Sequence, residues 1–192
     1  MNIQLGLVID QERCIGCEAC TVACRIENNT SLLWIKVETL GGEEKDTPNG
    51  KHPNLSLNFL PHLCNHCERP PCIDSCSIDA LVKLENGIVM LNQEECTGCK
   101  ACLSSCPYGV IEFNEETNIA EKCNFCSHRI NENLEPFCVI CCEGQAMVFG
   151  DLNNPNSKIS QMIAEREVFQ LKLEEKTKPS VYYCPPKPKY NL

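Results

Sequence analysis

The sequence predicts an α+β fold of two nested modules followed by a C-terminal arm. Three observations predict it. A four-cysteine pattern recurs four times within 192 residues, a hairpin signal separates the second and third copies, and the chain ends in a Pro-rich stretch.

Eighteen cysteines in this chain mark either a disulfide scaffold or a metal protein. Disulfide scaffolds are mostly short secreted domains. The N-terminal MNIQLGLVIDQERC has neither a basic n-region nor a long apolar h-region, and it reads as a strand running into the first cysteines. The formal charge of −9 disfavours nucleic acid, which selects basic surfaces. No run approaches the roughly 18 apolar residues of a membrane span, so membrane attachment is expected only through a partner.

The first group is Cys14, Cys17, Cys20 and Cys24; the second is Cys64, Cys67, Cys72 and Cys76. The third is Cys96, Cys99, Cys102 and Cys106; the fourth is Cys123, Cys126, Cys138 and Cys142. Each begins C-x2-C and ends C-x3-C, and only the middle gap varies, at two, four, two and eleven residues. Cys141 and Cys184 are left over.

This spacing suits a soft metal cluster. A loop of C-x2-C-x2-C wraps three corners of a [4Fe–4S] cubane, and the x3 step starts a helical turn that carries the fourth thiol away. In two-cluster ferredoxins that fourth cysteine ligates the other cluster, so such motifs work in pairs. Zinc needs cysteine pairs far enough apart to close a tetrahedron. It stands open for the fourth group taken alone, but the first and third groups crowd one loop.

Between Cys76 and Cys96, the apolar segments 80–84 and 88–91 flank Glu85-Asn86-Gly87, a hairpin signal. Motif, turn, hairpin, motif is the layout of a small bacterial ferredoxin. Groups two and three are therefore expected to form an inserted ferredoxin-like module over residues 54–113. Its wiring is Cys64, Cys67 and Cys72 with Cys106, and Cys96, Cys99 and Cys102 with Cys76. By elimination, groups one and four form an outer module, residues 1–53 and 114–150. There Cys14, Cys17 and Cys20 take Cys142, and Cys123, Cys126 and Cys138 take Cys24. IQLGLVI and AMVFGDL supply strands to it. The shared x3 gap favours Cys142 over its neighbour Cys141, and Cys184 reads as a free thiol.

Residues 40–54 read as an exposed loop. In the C-terminal unit, 151–192, Ser157 is a helix-cap candidate before Ile159, Met162 and Ile163. Phe169, Leu171 and Leu173 alternate like a strand, and TKPSVYYCPPKPKYNL reads as an extended arm. The arm's two readings, a partner contact and a frayed end, stay open. His66 lies inside the second motif but has no expected role as ligand. Arg13, Arg25, Lys100, Lys122 and Arg129 flank the motifs, and both electrostatic tuning of the clusters and a solvated surface position stand open for each.

Clusters with every corner occupied by cysteine leave no open iron for a substrate, and no Walker or Rossmann loop is present. The expected role is electron transfer through four [4Fe–4S] clusters, with no catalytic residue of its own. The sequence resembles the four-cluster iron–sulfur subunit of the dimethyl sulfoxide reductase family, especially its polysulfide-reductase-like members. The resemblance rests on CIGCEACTVACRIEN, LWIKVE, HPNLSLNFLPHLCNHCERPPC, CTGCKACLSSCPYGV, GDLNNPNSKIS and KPSVYY, and spans nearly the whole chain. It implies docking on a molybdopterin (Mo or W) catalytic subunit and exchange of electrons with a quinone-reactive membrane anchor. It also implies a location in the cytoplasm, or export in folded form with a signal-bearing partner, peripheral to the membrane. Only Cys106 keeps the Pro that family members often carry after the fourth cysteine. A soluble molybdopterin enzyme without anchor, a free polyferredoxin and a zinc scaffold are the alternatives.

Overall fold

The computed structural model describes residues 3–186. In chain order, β1 (Leu5–Asp10) and α1 (Ala19–Glu27) frame the first cysteine group, and β2 (Ile35–Leu40) follows. Next come β3 (Asn49–Lys51), β4 (Asn54–Ser56), β5 (Asn58–Leu63) and α2 (Pro71–Asp74). The strands β6 (Leu81–Lys83) and β7 (Val89–Leu91) precede α3 (Ala101–Ser105). Then β8 (Glu112–Asn114), β9 (Ile119–Glu121), α4 (Ser127–Asn131) and α5 (Phe137–Ile140) surround the fourth group. The chain continues through β10 (Met147–Asp151), α6 (Lys158–Glu165) and β11 (Val181–Cys184).

The largest sheet has the order β10-β1-β11. Its middle strand carries LGLVID, an apolar run suited to burial on both faces. It pairs antiparallel with β10, Leu7 opposite Phe149, and parallel with β11, Leu7 opposite Val181. Side chains alternate. Leu7, Ile9, Val181 and Tyr183 face the cysteine-rich core, whereas Val8 and Cys184 pack against Ile159 of α6. Ser157 caps α6 as expected, its Oγ accepting from the Ser160 N–H at 3.2 Å.

The expected hairpin of 80–91 forms, with Leu81 opposite Leu91 and Lys83 opposite Val89. Sequence reading missed the hairpin β8-β9, which crosses the expected boundary at residue 113, and the pairing of β2 with β5. The strands β8 and β9 are three residues each, too short to show a pattern, whereas β2 and β5 are six residues long and pair across eighteen or more positions of chain.

Three expectations need correction. Residues 40–54 are largely exposed, but Asn49–Lys51 is a strand paired with Asn54–Ser56. Residues 169–173 form no strand; Phe169 makes one isolated bridge to Tyr183, and a short 3-10 turn begins at Leu173. The arm is neither frayed nor free between Val181 and Cys184, where Val181, Tyr183 and Cys184 are fully buried in the main sheet. VYYC has high β-propensity, and flanking Pro residues are tolerated at the ends of an edge strand. The rest of the arm, 187–192, lies outside the described residues.

Candidate metal centres

The four motifs share a backbone. In each C-x2-C loop the residue before the second cysteine has a left-handed φ: Gly16 (72°), His66 (41°), Gly98 (71°) and Phe125 (53°). After the fourth cysteine of three groups, a second left-handed residue closes a turn. Asp79, Gly109 and Gln145 donate their N–H groups to the carbonyls of Cys76, Cys106 and Cys142. The x3 steps are helical, as the spacing demands: α1, α2, α3 and α5 carry Cys24, Cys72, Cys102 and Cys138.

N–H groups point at the sulfurs. The Phe125 N–H donates to Cys123 Sγ at 3.4 Å and the Ala146 N–H to Cys142 Sγ at 3.2 Å. Asn28 Nδ2 lies 3.7 Å from Cys24 Sγ and 3.8 Å from Cys126 Sγ. Cys141 instead directs its thiol to the carbonyls of Ala19 and Cys138, both at 3.6 Å.

Burial is the main influence on these thiols, because it disfavours the charged form. It pushes Cys20, Cys24 and Cys72 up to about 12 and Cys67 up to about 11. Nearby sulfurs add to the effect and reveal which cysteines are neighbours. Cys106 acts on Cys64, Cys67 and Cys72; Cys76, Cys96 and Cys99 act on Cys102. Cys142 acts on Cys14 and Cys20, while Cys24 acts on Cys123 and Cys138. Each loop thus has at least one cysteine near the fourth cysteine of another group, and Cys141 as well as Cys142 acts on Cys20.

Cys64, Cys67, Cys72 and Cys106 line one small pocket, walled otherwise by Asn65, Val89, Val110, Ile111, Tyr108 and prolines. Among the described residues, no three His, Cys, Asp or Glu side chains close around a single metal ion. Four thiols around one mostly apolar pocket suit a cluster whose charge is spread over several sulfurs.

His66 is fully buried and stacks on Phe125. Its Nδ1 accepts the Val89 N–H at 3.1 Å, and burial holds it well below the usual imidazole range. It is a core residue at the seam of two motif loops, a role its position inside C-x2-C did not announce. The flanking cations separate cleanly. Lys100 pairs with Glu115, Arg129 with Glu27, and Arg13 bonds Gly144 and Gln145 near the surface. Arg25 is exposed, and Lys122 alone of the five is buried.

Fold and site together define a ferredoxin-type iron–sulfur protein. Residues 55–152 match the family model of a 4Fe-4S dicluster domain, and residues 5–25 that of a 4Fe-4S binding domain. The chain is 39% identical over 203 residues to a Halobacterium salinarum protein described as an iron-sulfur subunit of dimethyl sulfoxide reductase. That alignment covers 93% of this chain and 78% of the relative. It is 34% identical to the iron-sulfur subunit ArrB of the arsenate respiratory reductase of Shewanella sp., over 94% of this chain and 96% of the relative. It is 38% identical to a subunit of the tetrathionate reductase of Salmonella typhimurium, over 93% and 71%. The chain belongs to the family of iron–sulfur subunits of the dimethyl sulfoxide reductase type, and it carries four [4Fe–4S] clusters.

Proposed function

We propose that the chain relays electrons between a molybdopterin (Mo or W) catalytic subunit and a quinone-reactive membrane anchor, with the sixteen cysteines of the four groups as cluster ligands. The carrying observation is the nearness of loop cysteines to the fourth cysteine of another group: Cys14 to Cys142, Cys64 to Cys106, Cys102 to Cys76 and Cys123 to Cys24. The ligand sets follow: Cys14, Cys17, Cys20 and Cys142; Cys24, Cys123, Cys126 and Cys138; Cys64, Cys67, Cys72 and Cys106; Cys76, Cys96, Cys99 and Cys102.

Exposure orders these sets. The sets of Cys17 and Cys99 each hold one exposed thiol and one buried one, Cys20 and Cys102, whereas Cys24, Cys123, Cys126, Cys138, Cys64, Cys67 and Cys72 are all buried. Two sets thus reach the surface, and two lie deeper. Cys64 lies close enough to Cys123 to disfavour its ionisation, so the deeper sets adjoin. Such an order fits entry of an electron at one exposed set and exit at the other. Residues 54–113 form the inserted module and 1–53 with 114–150 the outer one, with β2-β5 and β8-β9 stitching the two together.

The names of the relatives, subunits of reductases, support a catalytic partner. No helix among the described residues is long and apolar enough to cross a membrane. The complex lies in the cytoplasm, or is exported in folded form with a signal-bearing partner, peripheral to the membrane.

Anaerobic purification of the native complex tests this reading. About sixteen irons per chain, four for each cluster, are expected. Mo or W on a large co-purifying subunit and a membrane chain are expected with them. The same iron on a solitary chain would favour a free shuttle, and a molybdopterin partner without a membrane chain would favour a soluble enzyme.

A further inference from the structure

Lys122 is 3% exposed, yet among the described residues no carboxylate lies within ion-pair distance of its Nζ. The adjacent Glu121 is engaged elsewhere. It accepts from Trp34 Nε1 at 3.1 Å, Thr30 Oγ1 at 2.6 Å and Asn114 Nδ2 at 2.8 Å. Lys122 Nζ donates to the carbonyl of Val89 and, at 3.1 Å, to that of Cys123. Val89 is itself part of the wall around Cys64, Cys67, Cys72 and Cys106, and the Lys122 charge favours the ionised forms of Cys64 and Cys72.

A buried ammonium held only by carbonyls is costly unless an anion answers it. The anion at hand is a thiolate-ligated cluster, which carries a charge of about −2 when oxidised and about −3 after taking up one electron. We propose that Lys122 is the buried counter-ion of the cluster held by Cys64, Cys67, Cys72 and Cys106, and that it raises the potential of that cluster. This rests on the ligand reading given above.

The asymmetry is physical. Lys122 precedes Cys123 in the chain, but its ammonium reaches the carbonyl of Val89, in the wall around Cys64. A fixed positive charge stabilises the reduced state more than the oxidised one, since the reduced state is more negative by one unit. No proton is required for this: one electron arrives from the neighbouring set and leaves by the next. Lys122 is therefore a positioning residue for charge, placed where the outer module meets the inserted one.

The test is an anaerobic redox titration of the iron-loaded full chain, followed by electron paramagnetic resonance, alongside Lys122→Gln, Lys122→Arg and Cys64→Ser. Lys122→Gln is expected to retain full iron and to lower one midpoint, the same midpoint that Cys64→Ser removes or moves. Lys122→Arg is expected to restore it. A fully loaded Lys122→Gln with all midpoints unmoved overturns the counter-ion role, as does movement of a different midpoint. Should Lys122→Gln fail to load iron, Lys122→Arg decides. Loading with the original midpoint upholds the role of charge, and failure to load overturns it. Cys64→Ser with all four clusters unchanged would instead overturn the ligand reading, independently of Lys122.

Discussion

His66 stacks on Phe125 with ring centroids 3.7 Å apart and planes inclined by 28°. The two residues hold the same place in their C-x2-C loops, one in the second group and one in the fourth, and both have left-handed φ. Where groups one and three use Gly16 and Gly98, these two groups use rings, and the rings join the second motif loop to the fourth. Phe125 also meets Phe149 edge-on at 5.3 Å. Phe125→Ala is expected to cost about 3–5 kcal/mol, as for other large core truncations. His66→Phe keeps the stack but strands the buried Val89 N–H, at about 1–3 kcal/mol. Chemical denaturation of the iron-loaded chain measures both, and a cost near zero for Phe125→Ala would remove the stack as a structural joint.

Asn28 reaches two ligand candidates from different groups, Cys24 and Cys126. Amide N–H groups directed at cluster sulfurs stabilise the more negative, reduced state. Asn28→Ala is expected to lower one midpoint in a redox titration and leave the iron content unchanged. The affected cluster is that of Cys24, Cys123, Cys126 and Cys138. Unchanged midpoints would show that these long contacts carry no electrostatic weight.

Gly98 and Gly109 both have left-handed φ, at 71° and 62°, but their surroundings differ. A Cβ on Gly98 would stand 2.2 Å from the Asn118 carbonyl oxygen, whereas a Cβ on Gly109 meets nothing within 4 Å. Gly109→Ala is expected to cost only the backbone term, about 1–2 kcal/mol. Gly98→Ala is expected to cost more and to reduce iron bound by the third group, because Asn118 lies in the β8-β9 turn and must shift. Thermal unfolding and iron analysis of the two variants give the comparison, and equal losses would rule out the close approach as the cause.

Burial raises the thiols of Cys20, Cys24 and Cys72 from 9.0 to about 12 and that of Cys67 to about 11. Raised values favour the cluster-free fold where thiols stay protonated, so this contribution is fully present below pH 9 and is lost as pH rises towards 12. Iron needs thiolates, so loading releases protons and improves with pH. Iron and sulfide uptake by the cluster-free chain is expected to be more complete at about pH 8.5 than at about pH 6.5, with proton release in weak buffer. Uptake independent of pH would mean that the thiols are already ionised in the fold.

Tyr183 tests the C-terminal strand. It is fully buried, donates its hydroxyl to the Pro61 carbonyl at 3.0 Å and stacks on Phe169 at 5.6 Å. Tyr183→Ala is expected to cost about 3–5 kcal/mol. A tail that merely lay along the surface would leave the unfolding midpoint unmoved.

The motif spacing was enough to read the metal chemistry. C-x2-C demands a tight loop and x3 demands one helical turn, and both are local constraints. The hairpin at Glu85-Asn86-Gly87 and the Ser157 cap were legible for the same reason. The strand at Val181–Cys184 was not, because local Pro content says nothing of a free sheet edge at β1, near the other end of the chain.

The repeated cysteine spacing alone established an iron–sulfur protein, because a cluster needs four sulfurs at close range and short spacings deliver three of them from one loop. Only the tertiary structure decided what surrounds the sulfurs. Five cations flank the motifs in the chain, and burial singles out Lys122. His66 and Phe125 lie far apart in the chain with nothing local to link them, yet they meet because the fold brings equivalent loops together. Ligand spacing is written in consecutive residues, whereas the electrostatics of a buried site depend on side chains that converge from distant parts of the chain.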